Sequence, residues 1–148
     1  MTAETLRLEV VLLRPGAVLP ARQSALASGF DLHACLDGGH LEVGTMPVRV
    51  PTGVAIAAPA GADVQIRPRS GLTARGVMAT FGTIDADYRG ELQVTMYCLP
   101  GVGSYTIEDG DRIAQLVVAR LAPVEWVPVT SLDATERGER GHGSTGRG

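Results

Sequence analysis

Asp85 lies in the stretch Gly82-Thr83-Ile84-Asp85-Ala86-Asp87-Tyr88-Arg89-Gly90, a carboxylate between two glycines with an aromatic ring three residues later. The segment reads as a hairpin. Glycine adopts backbone conformations closed to other residues, so Gly82 and Gly90 allow a close approach to a ligand. A carboxylate at such a bend can hold a water, and the Tyr88 ring can pack against a sugar. Arg69-Ser70-Gly71 is a second group with chemistry in it. Arg offers directional donors to phosphate oxygens, Ser adds a hydroxyl, and Gly lets backbone N–H groups come close. A short helix after Gly71 would add a favourable dipole for an anion. Gln115 is a third, a polar residue among Ile113, Leu116 and Val117 that needs a partner or a water. The tail from Arg137 to Gly146 is the fourth. Its Gly138-x4-Gly143-Ser144-Thr145 nearly spells a Walker A loop, but Ser144 stands where Lys is required and no helix follows. What remains is a run of Gly, Ser and Thr N–H groups able to wrap phosphates, with Arg137 as a charged anchor.

These residues must be positioned by strands and turns. Leu6, Leu8, Val10 and Leu12 alternate with Arg7, Glu9 and Val11, as in a half-buried strand. Further strands are expected at Asp31–Ala34, Val48–Val50, Val54–Ala57, Val64–Arg67, Leu92–Cys98, Ile113–Leu121 and Trp126–Val129. Leu72–Arg75 can form one helical turn, and no other segment has helical periodicity. Many short, closely spaced strands imply an all-β sandwich, barrel or jelly roll. No internal repeat is visible.

With 148 residues, one domain with a real core is expected. Only six residues are aromatic, so that core is aliphatic. All 13 basic residues are Arg, a bias that fits genomic composition better than selection for Arg chemistry. The net charge of −3 gives no support to bulk nucleic-acid binding, which needs a basic face. No apolar run approaches the ~20 residues that span a bilayer. Charges at Glu4, Arg7, Glu9 and Arg14 interrupt anything like a signal peptide, and a cytoplasmic protein is expected. Cys35 and Cys98 fit no metal-binding spacing; buried free thiols are the simpler reading, with a disulfide as the alternative. Thr135–Gly148 holds five Gly, three Arg and no aliphatic side chain, so it has nothing with which to pack. The division expected is a β domain over 1–132 and a flexible tail over 133–148.

Taken in order, Ser28-Gly29-Phe30-Asp31-Leu32, Arg69-Ser70-Gly71-Leu72, Gly82–Gly90, Gly110-Asp111-Arg112-Ile113-Ala114-Gln115-Leu116 and Arg137–Gly146 resemble the five motifs of the trimeric deoxyuridine triphosphatases (dUTPases). Each segment alone is weak; five in order, spanning residues 28–146, are specific. The resemblance implies an all-β jelly-roll subunit, β-clip-like, in a homotrimer whose three sites form at subunit interfaces, each tail closing over a neighbour's site. It implies hydrolysis of dUTP to dUMP and pyrophosphate, assisted by Mg²⁺, holding down uracil in DNA and providing dUMP for thymidylate synthesis. No direct nucleic-acid or membrane partner is implied.

By the same resemblance Asp31 is the Mg²⁺ ligand, through water, in keeping with a cation that dehydrates reluctantly. Asp85 is the general base for a water that attacks the α-phosphorus, and Gln115 helps to place the phosphates. Arg69, Ser70 and Gly71 contact phosphate. Gly82, Thr83 and Ile84 line the nucleoside, whose uracil edge pairs with the hairpin backbone, and Tyr88 lies against the deoxyribose, crowding out a 2′-hydroxyl. Arg137, His142, Gly143, Ser144 and Thr145 belong to the closing tail, with His142 standing where Phe is usual and Arg140 where Gly is usual. Ala79 takes the place of the common Asn, three residues before Gly82, that helps to read uracil. Asp87, Arg89 and the pair Asp111–Arg112 are expected to be structural, and His33 and His40 to be solvated or satisfied. Two rivals are a non-catalytic nucleotide-binding regulator and dCTP deaminase, which shares the fold. The deaminases carry a Glu ten residues after the hairpin Asp; here that residue is Thr95.

Overall fold

Alternation of small aliphatic and polar residues, broken every few residues by Gly or Pro, builds short strands and little else. The computed structural model describes residues 4–141 and Gly146. Its strands are β1 (Glu9–Leu12), β2 (Phe30–His33), β3 (His40–Val43), β4 (Val48–Ala57), β5 (Ala62–Arg67), β6 (Val77–Ala79), β7 (Gly82–Ile84), β8 (Glu91–Cys98), β9 (Tyr105–Glu108) and β10 (Arg112–Arg120), with one four-residue helix, α1 (Ser70–Thr73).

Strand β8 shows how sequence becomes layer. Leu92, Val94, Met96 and Cys98 are buried on one side, while Glu91, Gln93, Thr95 and Tyr97 face the other. That period of two gives the sheet one apolar face to bury. Two four-stranded antiparallel sheets form in this way, ordered β1-β4-β8-β6 and β2-β10-β5-β7, with β3-β9 as a separate ribbon. The result is an all-β jelly-roll sandwich with an aliphatic core that includes Leu32, Val64, Leu92, Met96, Ile107 and Ile113. Cys35 and Cys98 are free and buried. Burial pushes the Cys98 thiol pKa up.

The two strand segments expected around Pro51 are one strand, β4, carrying a bulge. Its register on β8 jumps from Pro51↔Gln93 to Ala55↔Glu91, so three residues oppose one. Such a bulge tolerates Pro and Gly inside a strand. Gly53 takes φ +69°, and a Cβ there would lie 2.7 Å from the Ala17 Cβ. The hydroxyl of Thr52 donates to the Leu92 carbonyl at 2.6 Å, satisfying one of the groups the bulge leaves unpaired.

Other boundaries differ from expectation. β1 begins at Glu9 rather than Leu6, and the helical turn starts at Ser70. Four residues make too short a helix for an appreciable dipole, so the anion site loses that contribution. Trp126–Val129 forms no strand and pairs with none of the strands among the described residues. Trp126 is 90 % exposed, with Val127 and Val129 also exposed. β3, β6, β7 and β9 are paired strands that the sequence pattern does not mark; each has only three or four residues.

Candidate active site

Two clusters contain most of the described residues whose types and spacing suggest chemistry; Gly82, in β7, and Arg137, in the tail, belong to neither. The first lies where β2, β10 and β5 run side by side. Register sets Gln115 opposite Asp31 on one side and opposite Arg67 on the other. Asp31 is buried, and both carboxylate oxygens face a guanidinium: Oδ1 is 3.7 Å from Arg69 Nε, and Oδ2 is 3.5 Å from Arg112 Nη1. Arg69 Nη1 also donates to the Arg112 carbonyl at 2.9 Å, tying the loop before α1 to β10. Gln115 finds the partner its position demands, donating from Nε2 to the Pro68 carbonyl at 2.9 Å. Its side chain packs so tightly on Gly29 that a Cβ there would sit 2.1 Å from Gln115 Oε1. Motifs far apart in sequence therefore meet here. Ser70 and Gly71 open α1 immediately after Arg69.

Arg112 is more than a turn residue. Asp111 keeps the expected role, its Oδ2 accepting from the Glu108 N–H at 2.9 Å. The Arg112 guanidinium, however, belongs to the Asp31 cluster. The signal in the sequence was its place at the start of a strand shared with Gln115, although its partner on β2 emerges only from the pairing. His33 Nδ1 is buried with no protein hydrogen-bond partner among the described residues. Desolvation lowers its pKa from the usual imidazole value, against the pull of the nearby Asp31 carboxylate.

The second cluster is a cleft of about 280 Å³ lined by Arg49, Thr83, Ile84, Asp85, Tyr88, Glu91, Leu92 and Gln93. Its wall is the turn segment between β7 and β8, which crosses from one sheet to the other; β7 pairs with β5 and β8 with β4 and β6, so the expected hairpin is a crossover turn and not a paired two-strand ribbon. Inside the hairpin the Tyr88 N–H donates to the Asp85 carbonyl at 3.0 Å, and the Tyr88 hydroxyl to the Glu91 carbonyl at 2.9 Å. The space that Gly90 leaves open is filled by Tyr88 itself, whose hydroxyl would lie 2.4 Å from a Cβ at that position. Arg89 is structural, donating to the carbonyls of Ala86 and Tyr88. Arg49, Glu91 and Gln93 join the cleft without any motif to announce them. Ala79 does not line it; its methyl is buried in the core.

The two clusters share no residue: none of Asp31, Arg69 and Gln115 lines the cleft. Arg137 is tied to its own tail, its Nε donating to the Arg140 carbonyl at 2.9 Å. His142, Gly143, Ser144 and Thr145 lie outside the described residues.

A carboxylate beside a sugar-sized cleft, and an Arg-rich cluster around a second carboxylate, suit a phosphorylated nucleoside. Comparison with known proteins agrees. Residues 16–146 match the dUTPase family model. The chain is 48 % identical over 136 residues to deoxyuridine 5'-triphosphate nucleotidohydrolase of Treponema pallidum, covering 89 % of this chain and 92 % of that protein. It is 47 % identical over 146 residues to the protein of the same name from Wolinella succinogenes, covering 96 % and 95 %. Its fold is similar to that of the Staphylococcus bacteriophage 80alpha dUTPase solved with dUpNHpp, with a TM-score of 0.81 at 28 % identity over 95 % of this chain and 99 % of that one. With the ordered motifs, the sandwich and the relatives in agreement along nearly its whole length, the chain belongs to the dUTPase family.

Proposed function

We propose that the protein hydrolyses dUTP to dUMP and pyrophosphate, with Asp85 as the general base, so limiting uracil in DNA and supplying dUMP for thymidylate synthesis. The observation that carries the reading is the hairpin cleft, in which Asp85 and Tyr88 share one wall within a chain of this family. Asp85 takes a proton from a water as that water's oxygen attacks the α-phosphorus in line, and the α–β bridging oxygen leaves with pyrophosphate. Positioned general-base catalysis of this kind supplies roughly 10²–10⁴-fold. Because the Tyr88 hydroxyl is committed to the Glu91 carbonyl, the ring offers its face and edge to the sugar. A 2′-hydroxyl would crowd it. Thr83 and Ile84, with Gly82, present backbone groups to the uracil edge.

Arg69, Ser70, Gly71 and Gln115 hold the phosphates, and developing negative charge is met by fixed donors. Among the described residues no three His, Cys, Asp or Glu side chains gather to cage a metal. A single buried carboxylate, Asp31, fits Mg²⁺, which keeps its waters and takes few protein ligands beside substrate phosphates. Its arginine contacts, at 3.7 and 3.5 Å, are longer than the ~2.7–2.9 Å of a tight charge-assisted hydrogen bond. Lone pairs therefore remain for metal-bound water. When bound, Mg²⁺ would neutralise phosphate charge. The tail residues Arg137, His142, Gly143, Ser144 and Thr145 are assigned to closure over the phosphates, and the division into a domain over 1–132 and a tail over 133–148 goes with that role. A cytoplasmic enzyme fits this substrate.

The working unit we assign is a homotrimer. The separation of the two clusters within one chain supports it, since a nucleotide needs both. So does the exposed apolar run of Leu121, Val124, Trp126, Val127 and Val129, together with a groove of about 800 Å³ lined by residues such as Leu8, Leu19, Phe30 and Leu116. Deamination of dCTP has no group to carry it: Thr95 offers no carboxylate, and Glu91 in the cleft is tied up by Arg14 and Gly53.

Pyrophosphate release from dUTP, dTTP, dCTP and UTP, with and without Mg²⁺, tests the reading. Turnover of dUTP alone, stimulated by Mg²⁺, is expected. Binding of dUTP without turnover would establish a regulator instead.

A further inference from the structure

Glu91, the first residue after the hairpin, does two jobs with one carboxylate oxygen. Its Oε1 accepts from Arg14 Nη2 at 2.6 Å and from the Gly53 N–H at 2.7 Å. The pair is mostly shielded, with side-chain exposures of 29 % for Arg14 and 21 % for Glu91. Gly53 sits at the β4 bulge, where the ladder to β8 breaks and an N–H is left without its strand partner. Arg14 follows β1, and β1 is pinned to the same bulge by the Leu13 N–H donating to the Gly53 carbonyl at 2.7 Å. Two elements that carry none of the chemistry, the end of β1 and the β4 bulge, thus converge on the exit of the hairpin. From there a bonded path runs inward: the Glu91 carbonyl holds the Tyr88 hydroxyl, and the Tyr88 N–H holds the Asp85 carbonyl.

The charge balance of the cleft depends on the same contact. Asp85 and Glu91 both line it against one lining cation, Arg49, so without Arg14 two carboxylates and a single guanidinium would face an incoming polyanion. Like charges in one site disfavour each other's ionised form and repel a further anion. Arg14 neutralises one of them. Asp37, the other acid near Arg14, is 4.0 Å away and largely exposed, so it competes weakly.

We propose that Arg14 and Glu91 are positioning residues for the reaction: a charge-compensated clamp that fixes the hairpin carrying Asp85 and Tyr88 and keeps the cleft receptive to a triphosphate. The clamp is a property of the free chain; only its kinetic consequence rests on the dUTP reading.

The test compares wild type, R14M, E91Q and the double variant R14M/E91Q by amide hydrogen exchange over residues 83–90 and by steady-state kinetics with dUTP. R14M leaves Glu91 charged and unpaired. It should speed hairpin exchange and raise KM by about tenfold, the size of effect typical of directly coupled groups. E91Q keeps an acceptor for the Gly53 N–H but carries no charge, so adding R14M to it should change KM less than about twofold. Equal effects of R14M in both backgrounds, or unaltered exchange over 83–90 in R14M, would overturn the clamp. If R14M does not fold, R14Q takes its place in the same cycle. R14K, which keeps the charge, should recover most of the KM. A wild-type protein that fails to turn over dUTP would sink the proposed function, while the exchange measurements on the free chain would still decide the clamp.

Discussion

Asp85 shares a cleft with a ring, a guanidinium and a second carboxylate, and its backbone is held by Tyr88. Asp85→Asn keeps the shape and the hydrogen-bonding reach but cannot take a proton at neutral pH. The expected outcome is a fall in kcat of about 10²–10⁴-fold with dUTP. Binding of a non-hydrolysable imido analogue, measured by calorimetry, should persist. Loss of binding together with turnover would remove Asp85 from the role of base. At this scale the sequence was most legible for residues that sit in motifs, because residue type and spacing already carry the chemistry. Arg112 and Glu91 escaped because their meaning lies in pairings across 81 and 77 residues of chain, with Asp31 and Arg14. His33 escaped for a related reason: its burial without a protein partner among the described residues is set by packing around β2, not by its neighbours in sequence.

Strands were legible where they are long and alternate, as in β8 and β10, and illegible where three or four residues gain their identity from a partner. β9 is an example, since Tyr105–Glu108 becomes a strand by pairing with His40–Val43. The β4 bulge is another; Pro-Thr-Gly reads as a break, yet the strand continues through it. Its fragility can be measured. Gly53→Ala would force a non-glycine residue into φ +69° and push a methyl to 2.7 Å from Ala17 and 3.1 Å from the Cys35 sulfur. The left-handed conformation costs roughly 1–2 kcal/mol, and crowding of a packed site adds roughly 1–3 more. A clearly lowered melting temperature is expected by far-UV circular dichroism. An unchanged one would mean that the bulge relaxes freely.

The whole molecule presents an unfinished surface when taken as one chain. The segment after β10 exposes Leu121, Val124, Trp126, Val127 and Val129, an apolar groove lies open, and the two clusters do not meet. The proposed trimer would resolve all three. Sedimentation should give a mass near three times the 15.4 kDa of one chain. Trp126→Glu, which sets a charge where an apolar contact is proposed, should shift the protein toward monomer and reduce turnover together. A monomeric wild type with full activity would refute the shared site.

Trp126 also governs how the protein will look in a spectrometer. It is the single tryptophan, and it stands outside the aliphatic core on a segment that belongs to no sheet. In the proposed trimer its emission would therefore report contact between chains, whereas backbone dichroism reports the sandwich. On dilution the fluorescence should move to the red while the β signal stays intact. Denaturation curves from the two probes should part company for the same reason, and their gap, which in a monomer would signal a folding intermediate, would here measure the affinity of the subunits for one another.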